Sequence, residues 1–342
     1  MRSSDGFQKP NNTAKLKDIF RINYGVLSQE EQDRIKQASV LIVGVGAVGG
    51  IIAEILARSG IGSFTLIDPD KYEWSNSNRH IGWYTDTLGK YKSDVIKNDI
   101  LRINPEANIK AYTKKLSFGE IKEHINTNSI IIAAADDLAF SSKIIIMAQE
   151  RKKFALTFMP SGLSGFILVF PPNLSSVIDP AELFGAPRGL AYKELRQYLE
   201  NPLTKFGRRW YILNGKWRIR WFRKWIKGEV SLAQICPNTW LGSSLACIEV
   251  IKYLTGKGKP VEAPKMWNLQ SADNRIRVET FRRRTKLSNR LINWFMNISL
   301  FGIGEHVRTF TTQKTQQELI KMEKQENADE CFKPPFLWRH FI

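Results

Sequence analysis

Residues 39–50 read Ser-Val-Leu-Ile-Val-Gly-Val-Gly-Ala-Val-Gly-Gly, and residues 64–79 read Phe-Thr-Leu-Ile-Asp-Pro-Asp-Lys-Tyr-Glu-Trp-Ser-Asn-Ser-Asn-Arg. The first stretch is an apolar strand that runs into Gly44-x-Gly46-x-x-Gly49 and then into an apolar helix. Glycines at this spacing let the backbone turn tightly and approach a phosphate seated on the helix N-terminus. Asp68 ends the next strand, where a carboxylate can bond a ribose hydroxyl. This much suits any dinucleotide protein. The Ser75-Asn76-Ser77-Asn78-Arg79 run that follows suits a triphosphate better, because a nicotinamide enzyme has no evident use for it.

Outward from this pair, strands and helices alternate. Apolar strands are predicted near 39–44, 63–68, 108–113, 129–135, 154–159 and 164–170, and helices near 47–59, 88–103, 117–126 and 138–151. Short connections between them imply a mostly parallel, Rossmann-like α/β sheet with helices on both faces. Ahead of it, Ser28 with Glu31 three residues on predicts a capping box inside 20–37. The expected organisation is an arm and helix over 1–37, a nucleotide-binding core over 38–170, and an irregular insertion over 171–240. A helix and two strands over 241–310 complete the core, and 311–342 form a polar tail. Within the insertion only 190–200 reads as helical.

With 51 Lys+Arg against 33 Asp+Glu, the formal charge is +18, which favours acidic partners. The three cysteines include no Cys-x-x-Cys pair, so a four-thiolate zinc site is not expected. Few thiols and no apolar signal core point to a reducing, cytoplasmic setting. The longest apolar stretch, 291–304, falls short of the roughly 20 residues a spanning helix needs.

Taken in order, Gly44/Gly46/Gly49, Asp68-Pro69-Asp70, Ser75–Arg79, Lys92 in Gly89-Lys90-Tyr91-Lys92, and Asp136 after the apolar run 131–135 resemble the ThiF/MoeB/HesA family. These are the ubiquitin-activating-enzyme-like adenylyltransferases. The likeness runs from about residue 20 to 170 and returns in 241–256. It implies an enzyme that uses ATP and Mg²⁺ to convert a carboxylate to an acyl-adenylate, and a two-fold homodimer. Nucleotide contacts would come from Gly44, Gly46, Gly49, Asp68, Asp70, Asn76, Arg79 and Lys92, with Asp136 on the metal. Arg21, in Phe20-Arg21-Ile22-Asn23-Tyr24, would reach the partner's triphosphate. The family default is the C-terminus of a ubiquitin-like carrier protein. Enzymes of microcin- and pantocin-type peptide maturation are similar, and so is the tRNA threonylcarbamoyladenosine dehydratase branch. A nucleotide-sensing scaffold without turnover is the non-enzyme alternative.

Each residue also has a plainer reading. Asp137 suits a helix cap, Asn76 a turn, and Asp70 the orientation of Arg79 or of its own loop. His80 either lines the site or is structural. Cys236 reads as a small packed thiol or as an acyl acceptor. Residues 205–227 hold nine Lys/Arg and seven aromatics with no acid. That block is either a solvated hairpin with its Trp side chains turned inward or a grip for an acidic peptide or small protein. The grip would use Arg218, Arg220, Arg223, Trp217 and Trp221, through charge and cation–π contacts. RNA or a membrane surface is the remaining partner class.

Overall fold

The structure is a computed structural model that describes residues 19–207 and 214–280. An eight-stranded sheet has the order β3-β2-β1-β4-β5-β6-β7-β8. Its strands are β1 (Ser39–Val43), β2 (Ser63–Ile67), β3 (Asn108–Tyr112), β4 (Ile130–Ala133), β5 (Phe154–Ser161), β6 (Ser164–Phe170), β7 (Lys265–Gln270) and β8 (Arg275–Thr280). The first five pair parallel; β6, β7 and β8 add antiparallel. All eight fall where the sequence predicts them, including the two expected on either side of 271–274.

Period-two alternation in doubly buried strands sorts the core into two layers. On one face Val40, Ile42, Phe64, Leu66, Ile130 and Ile132 meet α1 (Gln29–Gln37), α2 (Gly49–Ser59) and α3 (Lys92–Ile103). On the other face Leu41, Val43, Ile67, Ile131 and Ala133 meet α4 (Phe118–Thr127) and α5 (Leu138–Glu150). The strand order reverses between β1 and β4, so a crevice opens beyond their C-terminal ends.

Helix starts follow their caps. Ser28 accepts from the Glu31 amide and Glu31 accepts from the Ser28 amide, which is the expected capping box on α1. Ser117 and Glu120 do the same for α4. Lys92 opens α3, so 88–91, predicted helical, is a loop.

The insertion departs furthest from the sequence reading. Among the described residues it carries four short helices: α6 (Pro180–Leu183), α7 (Tyr192–Glu200), α8 (Pro202–Gly207) and α9 (Ile219–Ile226). The 205–227 block therefore holds a helix where a hairpin was one of the two readings. Phe222, Trp225 and Ile226 pack beneath it, with Trp217, on the same core layer as α5, and Ile219 is buried at its start. Trp221 faces outward, 43% exposed, which corrects the expectation that the Trp side chains turn inward together. The long helix α10 (Cys236–Thr255) starts several residues earlier than predicted, with Pro237 in its first turn. It lies on the α1–α2 side, where Gly242 lets it approach the Phe158 ring. Among the described residues, no helix is long and apolar enough to cross a membrane. The stretch 291–304, Cys331 and the tail lie outside the described residues, as do residues 1–18.

Candidate functional site

The loop after β1 is shaped by its glycines. Gly44 has φ +89°, and a Cβ there would lie 2.6–2.7 Å from the backbone of Ala134 and Ala135. A Cβ on Gly49 would strike the Gly44 carbonyl. These two positions need glycine, for the left-handed turn and for close approach. Gly46 is different: only His80 lies within 4 Å of a Cβ built there. Its neighbourhood is open toward the crevice, where a ligand backbone contact would be made.

Asp68 sits at the end of β2, 4% exposed. Its Oδ2 accepts from the Val45 amide at 2.7 Å and its Oδ1 from the Asp70 amide at 2.9 Å. Burial raises its pKa, opposed by Lys92 and those two amides. The carboxylate thus ties the glycine loop to the next segment, and each oxygen keeps a lone pair for a hydroxyl.

Asp70 pairs with Lys92 at 3.1 Å rather than orienting Arg79, and its carbonyl accepts from the Lys92 amide. The Lys92 side chain is 10% exposed while Asp70 is 67% exposed. The ammonium is therefore fixed at the crevice edge by a carboxylate that water can solvate.

The Ser75–Arg79 segment begins in a short 3₁₀ helix, Trp74–Asn76, and continues as a turn. Asn76 is spent on that turn: its Oδ1 accepts from the Glu73 amide, and its Nδ2 lies against Ser75 Oγ. Arg79 donates Nη1 to the Ser75 carbonyl at 2.9 Å and to Asn78 Oδ1 at 2.8 Å. Its Nε is buried without a partner. Burial lowers the Arg79 pKa, and the field of Asp136 opposes this across the crevice.

Asp136 follows β4 and is exposed, and among the described residues no hydrogen bond or ion pair holds it. Asp137 is the N-cap of α5, accepting from the Phe140 amide at 3.0 Å. Tyr192 Oη donates to Asp137 at 2.8 Å and Arg196 lies 3.4 Å from it, so the insertion is latched to the strand end that carries Asp136.

Mg²⁺ usually takes one or two carboxylates, with phosphates and water completing its shell. An unpaired carboxylate at this strand end fits that need. No group of three or more His, Cys, Asp or Glu that could hold a metal alone occurs among the described residues.

The crossover before α10 closes the far wall, and no motif in the sequence announces it. Asn78 Nδ2 donates to the Gln234 carbonyl at 3.1 Å, Gly162 N to the Ala233 carbonyl at 2.7 Å, and Trp240 Nε1 to the Arg79 carbonyl at 3.4 Å. Each acceptor is a backbone carbonyl, which any residue supplies, so no motif marks these contacts. Cys236 is half-buried in the first turn of α10. Cys247 is buried, its thiol pushed up by desolvation.

Arg21 lies on an exposed 3₁₀ turn, Arg21–Gly25, tethered by Asn23 to Gln32 at 2.9 Å. The single chain does not bond it to the other candidate residues. Arg218 and Arg220 are exposed and Arg223 half-buried around α9, and Trp221 Nε1 donates to the Ser231 carbonyl at the start of the crossover.

Comparison with known proteins identifies the family and the fold. The model of the ThiF family matches residues 21–290. The tRNA threonylcarbamoyladenosine dehydratase of Haemophilus influenzae is 32% identical over 176 residues, covering 51% of this chain and 66% of that protein. The crystal structure of PaaA superposes with a TM-score of 0.57 at 22% identity, covering 82% of this chain and 78% of that one. The Escherichia coli MccB structure with ATP gives 0.54 at 20% identity, covering 73% and 66%. MccB, a microcin C7 biosynthetic enzyme, has also been solved with N-formylated MccA. At these identities the structures establish the fold. The curated relative is matched over just under two thirds of its length.

Proposed function

The chain belongs to the ThiF family, and from that premise we propose that it is an ATP-dependent adenylyltransferase acting on a carboxylate of a peptide or small protein. The observation that carries this reading is the grouping of Lys92, Arg79 and an unpaired Asp136 around the glycine loop at the sheet's switch point. A substrate carboxylate oxygen attacks the α-phosphorus, the bond to the bridging oxygen breaks, and pyrophosphate leaves with the electron pair. Negative charge accumulates on the leaving group, where the Lys92 ammonium and Arg79 guanidinium oppose it without reorganising. Asp68 and the Gly44–Gly49 loop seat the nucleoside and phosphate backbone. Asp136 would hold Mg²⁺, which would neutralise phosphate charge.

A homodimer is part of the proposal. Ile22 (90% exposed) and Val26 (72% exposed) flank the turn bearing Arg21, an apolar surface suited to a second copy. Sedimentation at micromolar concentration should give twice the chain mass; a fully active monomer would contradict it.

A peptide substrate is favoured by the basic outer face of α9, next to the crossover that walls the crevice. Arg218, Arg220 and Arg223 replaced together by Gln should raise the Michaelis constant for an acidic peptide several-fold and leave ATP affinity unchanged. Added salt should mimic the triple change, since exposed charges are screened within about 8 Å at physiological ionic strength. Peptide affinity indifferent to both would end the peptide-grip reading. The second reading is a tRNA substrate, favoured by the 32% identical dehydratase and the +18 charge. There the same triple change would reduce RNA retention instead.

A further inference from the structure

His80 occupies the crevice floor in a way that Arg79 and Lys92 do not. It closes the Ser75–Arg79 turn, its amide donating to the Asn76 carbonyl at 3.1 Å. The residue is 8% exposed. Its ring stands edge-on to Tyr72, with centroids 6.0 Å apart. Its Cε1 lies 3.4 Å, and its Nε2 4.0 Å, from where a Cβ on Gly46 would project. Gly46 is the one glycine of the loop that packing against the protein does not explain, and His80 is the side chain beside that opening.

The two ring nitrogens differ. Nδ1 is sealed and has no hydrogen-bond partner. Nε2 is bonded to no described residue either, yet it is not sealed, so it is the edge that reaches the crevice. Burial first, then the charges of Arg79 and Lys92, drives the imidazole pKa down to about 3, so the ring is neutral at working pH. A neutral imidazole carries one N–H. A sealed bare nitrogen is tolerated better than a sealed orphan N–H, which is rare in folded proteins. The proton therefore belongs on Nε2, facing the space above Gly46.

We propose that His80 is a neutral hydrogen-bond donor to the phosphate chain of the nucleotide, its Nε2–H holding a phosphate oxygen over Gly46. This rests on the nucleotide site proposed above and adds a residue to it. An uncharged donor suits this place because two cations already face it: a third would be repelled, whereas an N–H grips a phosphate oxygen without that penalty.

The test uses the full chain labelled with ¹⁵N-histidine, titrated with ATP and Mg²⁺, with His80 identified among the four histidines by its absence from His80→Gln. The free protein should show His80 protonated at Nε2, and ATP should move that proton downfield. His80→Leu should weaken ATP binding roughly tenfold or more, as loss of a hydrogen bond to a charged group does, while His80→Gln, which keeps an N–H donor, should stay within about threefold. Tight ATP binding with an unmoved His80 signal, or with His80→Leu as tight as the unsubstituted chain, overturns the role of His80 and leaves the nucleotide site standing. No ATP binding by the unsubstituted chain overturns both. Should His80→Leu fail to fold, the titration of the unsubstituted chain decides alone.

Discussion

Asp136→Ala should reduce ATP–pyrophosphate exchange by about 10²- to 10³-fold, the scale of losing one preorganised electrostatic group. Exchange is measured with whichever carboxylate-bearing peptide supports it in the unsubstituted chain. The fold should not notice the change. Asp136 is exposed and, among the described residues, neither caps a helix nor pairs, so truncating it removes no packing seen there. The adjacent Asp137 gives the opposite pattern. It caps α5 and receives Tyr192, so Asp137→Ala should cost about 1 kcal/mol of stability, the usual loss for an N-cap, before any effect on turnover. Thermal melts of the two variants beside their exchange rates separate the roles. Unaltered exchange in Asp136→Ala would remove this residue from the chemistry.

Trp217→Ala should destabilise the protein by about 3–5 kcal/mol, and Trp221→Ala by about 0.5 kcal/mol or less. The two are four apart in one basic stretch, and composition does not separate them. Trp217 is 5% exposed and meets Trp225 edge-on at 5.9 Å. It also abuts Gly162 and Gly215, where a Cβ would lie 2.9 Å from its indole. Deleting it opens a cavity between the β5–β6 turn and α9. Trp221 loses one hydrogen bond, to the Ser231 carbonyl, from a side chain that is 43% exposed and so leaves a gap open to water rather than a closed cavity. Chemical denaturation of both variants reads the difference; equal losses would show that α9 does not sit as described.

The sheet was legible because its signals are local. Continuous apolar runs such as 40–43 and 130–133 define doubly buried strands, the first ended by Gly44 and the second flanked by Asn128-Ser129 and Asp136-Asp137. The glycines, Asp68 and Asp136 were legible as candidates because they follow strand ends, whereas Arg79 and Lys92 were singled out by the ordered motifs that carry the family resemblance. Residues 205–227 were harder to read. Arg and Trp interleave there, and a helix burying positions 219, 222, 225 and 226 looks, over so short a span, much like a hairpin with alternate burial. The pairing of Asp70 with Lys92, instead of with Arg79, depends on where α3 starts, three residues after Gly89 turns the chain with φ +76°. Asn78 and Trp240 joined the site through backbone carbonyls, which leave no trace in residue identity.

The central claim is that this crevice is built for a nucleoside triphosphate rather than a dinucleotide. Calorimetric titration of the purified full-length chain with ATP–Mg²⁺, AMP and NAD tests it most directly. The account predicts that ATP–Mg²⁺ binds tightest, that AMP loses the share contributed by Arg79 and Lys92, and that Lys92→Met brings ATP down toward AMP. NAD binding as tightly as ATP–Mg²⁺, with Lys92→Met leaving both unchanged, would contradict it.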